Sequence, residues 1–455
     1  KLKDLRFTLR SYYWAAAKAT CPCCNLTLPP ERVRAQLAAQ KGGADVVFDT
    51  HGRRTGGAGL LAVVTLKPGE QGRNYRLPAS RDYEAVWNAH QKLQQVSATP
   101  LPNDLSPVPD EPLPPIGTLG FRVQRYGMLH WGDLFTARQK LAMMRLTDEL
   151  RVRTANLSRA IAELLALAIG KTADLGNSGS PWKPGAECPV HLFSSQKIPP
   201  LWDWAEAVVT ADSSGSFSSA YERSATTIDS AFSFPYGAAS SALADAKDTG
   251  FQQSAVGVWF TDPPYYDAIP YSDLSDFFFV WLKRALHPHP LLRDPFDGLN
   301  TLTPKDQEIV QDEVRKVNGR PKSRIFFEES MAVAFAEGRR VLTVHGIGCV
   351  VFAHKTTEGW EALLSGLIAG GWTITGSWPI ATEMASRLRA RDSAALATSV
   401  HLVCRPRPAD AGVGDWVKVL RELPRRVGDW MERLQTEGIR GADLVFACIG
   451  PALEI

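Results

Sequence analysis

Two consecutive prolines, Pro263 and Pro264, follow almost directly on the apolar run Val256–Thr261, with only Asp262 between. Proline has no backbone N–H to give to a ladder, and its ring fixes φ. A strand that reaches this pair must leave its sheet there, in one stiff shape. Tyr265 stands immediately beyond the pair. The four residues Asp262-Pro263-Pro264-Tyr265 therefore hold a carboxylate and a ring rigidly at the mouth of the sheet to which Val256–Thr261 belongs.

The surrounding pattern says what kind of sheet that is. From about residue 233, strand-like apolar runs alternate with helical periodicity. Residues 275–286, 326–342 and 360–368 read as helices, and 346–354 as a buried strand. Residues 372–378 and 398–404 read as two further strands, a hairpin with a long tip. This alternation predicts an α/β domain with a mostly parallel sheet covered on both faces. Ligands in such sheets sit beyond the carboxyl ends of the strands. That rule puts 261–265, and His354 with Lys355, on one rim.

An acid and an aromatic so placed suit one chemistry. The lone pair of an exocyclic amine on a nucleobase is delocalised into the ring, so the nitrogen is a poor nucleophile. Asp262 can accept one of its N–H bonds and a backbone carbonyl of the Pro263-Pro264 turn the other, which favours a pyramidal, nucleophilic nitrogen. Tyr265 can stack on the base, worth about 1–3 kcal/mol by analogy with other base–aromatic contacts. A base inside a duplex is out of reach, so it would be extruded first. Tyr266 and Tyr271 follow closely enough to shape the same pocket. A Pro-Pro turn with a surface aspartate is the competing reading, and the strand in front of it is what favours chemistry.

The rest of the chain is organised around this region. Residues 1–117 form a mixed region with a cysteine knuckle, Cys21-Pro22-Cys23-Cys24, helices over 31–40 and 84–95, and a strand over 60–66. Seven prolines between 97 and 117 predict an extended linker and a boundary. Residues 118–232 form a helical insert. Thr136 with Gln139 three positions later fits a capping box ahead of two packed helices over 133–175. A Ser/Gly/Trp-rich loop follows over 176–232. Residues 233–408 are the catalytic domain, and 409–455 a helical extension. The chain opens inside a regular element and stops soon after the apolar stretch 444–449, the pattern of a fragment cut from a longer protein.

Composition narrows the setting. With 455 residues, 44% hydrophobic and 22% charged, the chain can bury a sizeable core. No apolar run reaches the roughly 18 residues of a membrane helix. Seven cysteines scattered over such a length do not form a disulfide framework. A soluble, cytoplasmic protein without membrane partners is expected. A net charge of +3 does not by itself argue for nucleic acid. Arg387, Arg389 and Arg391 on the tip of the hairpin are candidate DNA contacts, although a solvated basic face is as good an account of them. Cys21 and Cys24 have zinc-knuckle spacing, but a closed site needs four ligands and no second such pair is present.

The stretch 260–283, Phe-Thr-Asp-Pro-Pro-Tyr-Tyr-Asp-Ala-Ile-Pro-Tyr-Ser-Asp-Leu-Ser-Asp-Phe-Phe-Phe-Val-Trp-Leu-Lys, resembles the DUF1156-type, zinc-ribbon-containing adenine-specific DNA methylases of bacteria and archaea. The knuckle at 21–24, residues 126–139 with Trp131-Gly-Asp-Leu-Phe-Thr136, Val351-Phe-Ala-His-Lys355, and residues 393–406 and 450–454 look like the same family. The resemblance implies a Rossmann-like class I methyltransferase sheet, S-adenosylmethionine as methyl donor, and DNA as substrate. Zinc in the full-length protein is implied as well. Some relatives belong to phage-defence or restriction-modification neighbourhoods, so other defence proteins are partners to expect. The family's Gly-rich cofactor motif, of Asp-Pro-Phe-x-Gly-Gly-Gly type, lies upstream of the knuckle and is not found between Lys1 and Ile455. Phe135 and Thr136 loosely resemble a second cofactor-contacting motif, and a helix cap explains them equally well.

Adenine-N6 methylation is thus the first expectation. Cytosine-N4 methylation uses the same pocket logic. A nucleic-acid-binding or assembly subunit without activity is the alternative from a different class.

Overall fold

The computed structural model describes residues 19–20, 24–67, 69, 72–102, 104–233, 235, 237, 239–381, 398–412, 414–439, 441–449 and 452. The chain divides into two compact units. The first comprises residues 1–240 and 272–304, and the second 241–271 and 305–455.

The first unit is built from helices and short hairpins. Its strands pair antiparallel: β1 (Ala19–Thr20) with β2 (Thr27–Leu28), β3 (Val46–Phe48) with β4 (Arg54–Gly57), β5 (Val63–Thr65) with β6 (Asn74–Arg76), and β7 (Trp182–Lys183) with β8 (Cys188–Pro189). Its helices are α1 (Pro30–Ala39), α2 (Ser80–Ser97), α3 (Ala137–Arg153), α4 (Arg159–Leu175), α5 (Phe217–Phe232) and α6 (Tyr271–Ala285), the last from Ser272 onward. The predicted pair of helices over 133–175 is present as α3 and α4. The capping box is present too: Thr136 Oγ1 accepts from Gln139 N at 3.3 Å, and Gln139 Oε1 accepts from Thr136 N at 2.9 Å. Phe277 and Phe279 of α6 are buried, as helix core should be.

The proline-rich segment 97–117 lies within the first unit, residues 1–240 and 272–304. Prolines leave carbonyls without N–H partners along their own segment, and a buried guanidinium supplies the donors. Arg284, fully buried on α6, donates to Ser106 O at 2.7 Å, to Val108 O at 3.3 Å and to Glu111 Oε1 at 2.9 Å.

The second unit holds a four-stranded mixed sheet in the order β13-β14-β12-β9. It is made of β9 (Val256–Thr261), β12 (Leu342–Phe352), β13 (Trp372–Ala381) and β14 (Thr398–Pro406), and a separate hairpin joins β10 (Asp312–Val317) to β11 (Arg320–Lys322). Its helices are α7 (Arg324–Val341), α8 (Thr357–Ala369), α9 (Trp416–Thr436) and α10 (Ala442–Ala447). β9 and β12 are parallel, while β14 runs antiparallel to both β12 and β13. The expected hairpin is β13–β14. The expected mostly parallel sheet is corrected to a mixed one, with a single parallel pair among the described strands.

One face of this sheet carries the core. Trp259, Val350, Phe352, Trp372, Leu402 and Cys404 pack with Phe327, Met331 and Phe335 of α7 and Trp360, Leu363 and Leu367 of α8. Glycine permits the closest approach: a Cβ on Gly338 of α7 would lie 2.3 Å from the Trp259 ring. Among the described residues, the opposite face is not covered as expected. Val258 and Phe260 on β9 are 64% and 61% exposed, and Trp378 and Ile380 on β13 are 52% and 44% exposed. Residues paired across neighbouring strands share a face. The pairs Val258–Ile347, Phe260–Cys349, Cys349–Val403 and His401–Trp378 therefore make this one continuous apolar surface.

Among the described residues, no helix is long and apolar enough to cross a membrane.

Candidate active site

β9 ends at Thr261, as its sequence requires, and the chain turns out of the sheet through the two prolines. Asp262 is exposed, Pro263 is buried, and Pro264 and Tyr265 are half-buried. The Tyr265 ring stands edge-on to Phe352 of β12, with centroids 5.4 Å apart. Carboxylate and ring are thus held at the carboxyl end of β9, beside the carboxyl end of its parallel neighbour β12. That is the rim the sequence pattern pointed to.

Hydrogen bonds close the turn behind the prolines. Tyr266 N donates to Pro264 O at 3.0 Å and Ala268 N to Tyr265 O at 3.0 Å. Gln311 N donates to Tyr266 O at 3.1 Å. The Pro264 carbonyl is therefore engaged within the turn.

Tyr266 adopts φ of +58°. A bulky side chain rarely occupies this left-handed region, and the conformation costs about 1–3 kcal/mol unless its surroundings hold it. They do. The buried ring packs edge-on against Phe327 at 5.2 Å and His354 at 5.7 Å. Its hydroxyl donates to Glu358 Oε1 at 2.9 Å. Burial and then the bond to Glu358 raise the phenol above its ordinary range. Tyr266 is thus part of the frame of the site rather than of an open pocket wall.

His354 is buried just beyond the end of β12. Its Nδ1 accepts from Thr356 N at 3.3 Å and contacts Thr356 Oγ1 at 2.9 Å. With Nδ1 an acceptor, Nε2 carries the proton and donates to Asp267 Oδ1 at 3.0 Å. Lys355 is exposed on the same rim. Tyr271, at the start of α6, is 44% exposed. Its phenol is raised first by burial, then by the charges of Asp262 and Glu308. The segment bearing Glu308 is pinned by buried Lys322, which donates to Glu308 O at 2.6 Å and also to Lys305 O.

Asp262, Tyr265, Tyr266, Tyr271 and His354 are thus gathered in one unit. Arg387 and Arg389 lie outside the described residues. Glu358, Thr356 and Glu308 were not singled out from the sequence. For Thr356 a signal existed: a threonine three residues before Gly359, at the head of an apolar helical run, is a cap pattern.

The residues expected to contact a cofactor are otherwise occupied. Phe135 is buried, stacked on Phe277 at 5.7 Å and edge-on to Trp281 at 5.4 Å. Thr136 caps α3. For zinc, Cys24 is exposed and Cys21 lies outside the described residues. Among the described residues, no group of three or more His, Cys, Asp or Glu is placed to hold a metal.

No family model, no curated protein and no solved structure matches the chain.

Proposed function

We propose that this chain carries the catalytic site of a DNA amino-methyltransferase acting on adenine N6, with S-adenosylmethionine as donor, of the DUF1156-type methylase family. One observation carries the reading: Asp262 is exposed at the carboxyl end of a parallel strand, beside a half-buried Tyr265, on a turn that prolines and three backbone hydrogen bonds keep stiff.

The roles follow from the geometry. Asp262 and a backbone carbonyl of the Pro263-Pro264 turn accept the two amine N–H bonds and localise the lone pair on nitrogen. Tyr265 stacks on the extruded base. Orientation of the amine supplies much of the rate, since positioning two reactants removes an entropic barrier of about 7–11 kcal/mol at most. The donor would supply an electrophilic methyl group. A Rossmann-like sheet would continue past β9, and the position of β9 at the edge of the described sheet is compatible with such a continuation. A role in phage defence rests on the family resemblance alone.

A second reading has one observation in its favour. Phe135 and Thr136 are committed to core and cap, which suits a DNA-binding subunit that leaves the chemistry to another chain.

The test is to incubate the protein with duplex DNA and a labelled methyl donor and to identify the modified base. N6-methyladenine supports the proposal, and N4-methylcytosine replaces adenine by cytosine. DNA binding without methyl transfer favours the second reading.

A further inference from the structure

We infer that His354, Glu358 and Tyr266 form a clamp whose task is to position Asp262 and Tyr265 for the amine, so that these three act as positioning residues of the reaction. The inference rests on the proposed methyl transfer and assigns its rigidity to specific side chains. The strained residue is Tyr266, at φ of +58°. It is separated from Asp262 by three residues, two of them proline, so its backbone angle decides where the preceding turn points.

Two contacts reach this loop, one from the first turn of α8 and one from the segment between β12 and α8. The Tyr266 hydroxyl donates to Glu358 Oε1, and Asp267 accepts from His354 Nε2. His354 is itself fixed. Its Nδ1 meets the Thr356 donors, and its carbonyl accepts from Trp360 Nε1 at 3.0 Å. Gly359 makes this approach possible, because a Cβ there would lie 2.3 Å from His354 Nδ1. A bulky residue in a left-handed conformation, with its hydroxyl, its ring and the next side chain all held, is an over-determined strain of the kind found where a site must be pre-organised.

A purely structural role would cost stability and leave turnover per folded molecule unchanged. A positioning role predicts more. Tyr266→Phe keeps the ring and removes only the hydroxyl, and Glu358→Ala removes the acceptor. Both should raise amide hydrogen exchange across residues 262–268 in the protein alone. Both should lower kcat for methyl transfer about tenfold, with KM changed less than threefold. Glu358→Gln keeps an acceptor oxygen and should restore kcat to within about threefold of the parent. The double variant Tyr266→Phe/Glu358→Ala should lose no more than either single one, since both break the same bond.

Unchanged exchange over 262–268 in both single variants would overturn the clamp. Raised exchange with unchanged kcat would overturn the positioning role and leave a structural clamp. Absence of methyl transfer by the parent protein would overturn the underlying reading, and the positioning role with it. The exchange measurement would still decide whether the clamp exists.

Discussion

Arg284 Nη1 and Glu111 Oε1 lie 2.9 Å apart, both buried, and join the last turn of α6 to a segment of the chain that precedes it by more than 170 positions. Lys283 Nζ lies 2.5 Å from the same oxygen. Burial alone would push the Glu111 carboxyl up, but Arg284 and Lys283 outweigh it and hold it below its ordinary range. Arg284 also carries the carbonyls of the proline-rich segment. Arg284→Ala would remove one of the two cations on a buried carboxylate and leave several carbonyls without their donor, and should destabilise the protein by about 3 kcal/mol. Urea unfolding measures this, and a loss below 1 kcal/mol would contradict the account.

A second ion pair sets an acid limit. Arg340 donates to Glu337 Oε2 at 2.6 Å and to Oε1 at 2.7 Å, and Thr249 Oγ1 donates to Oε1 at 2.6 Å. The bond to Arg340 is the main reason the Glu337 pKa falls from 4.5 to about 2. A lowered carboxylate pKa stabilises the fold above the unfolded value, and that stabilisation is lost as pH falls through the folded value. The parent should therefore lose stability between about pH 4.5 and 2, and Glu337→Gln should lose less over that window. Chemical denaturation at stepped pH gives the comparison.

The exposed carboxylate at the end of β9 separates function from stability. Asp262→Ala removes no packed atom, so its unfolding midpoint should match the parent. Methyl transfer should fall at least about 100-fold, the scale on which one lost transition-state hydrogen bond acts. Turnover close to that of the parent would dismiss the role assigned to Asp262.

Gly338→Ala tests the packing of α7 on the sheet. The new Cβ would meet the Trp259 ring at 2.3 Å, and overpacking of this kind typically costs about 1–3 kcal/mol. A thermal midpoint unchanged by the substitution would mean that the helix lies farther from β9 than described.

The bare face of the sheet leads to the opposite expectation. Phe260→Thr and Trp378→Thr should each cost no more than about 1 kcal/mol, the value of a cross-strand pair. Both should reduce self-association, since exposed apolar patches promote it. Static light scattering across a concentration series checks the second point.

Much of the fold was legible in the sequence where a physical rule acts locally. β9 spans the predicted residues, because an apolar run halted by prolines leaves little choice. The Thr136 cap was legible because it needs only residues three apart. The helix α5 was not: its serines and threonines suggest a loop. In the structure Ser216 caps it, and Ser224, Thr226 and Thr227 bond back to carbonyls four residues earlier. The packing of 97–117 was hidden because its partner, Arg284, is remote in sequence. The carboxylate and ring of the candidate site were legible as a motif. The left-handed Tyr266 and its tie to Glu358 were not, since a residue's φ and a contact spanning 92 positions leave no local trace.

Chain connectivity has a practical outcome. The polypeptide passes from one compact unit to the other at 240/241, returns at 271/272 and crosses again at 304/305. No single cut liberates either unit intact. A shortened gene ending anywhere between those crossings would encode one body lacking a piece and another body begun but not finished. Recombination that exchanges whole modules would have to swap both units together, or splice at two or more points at once.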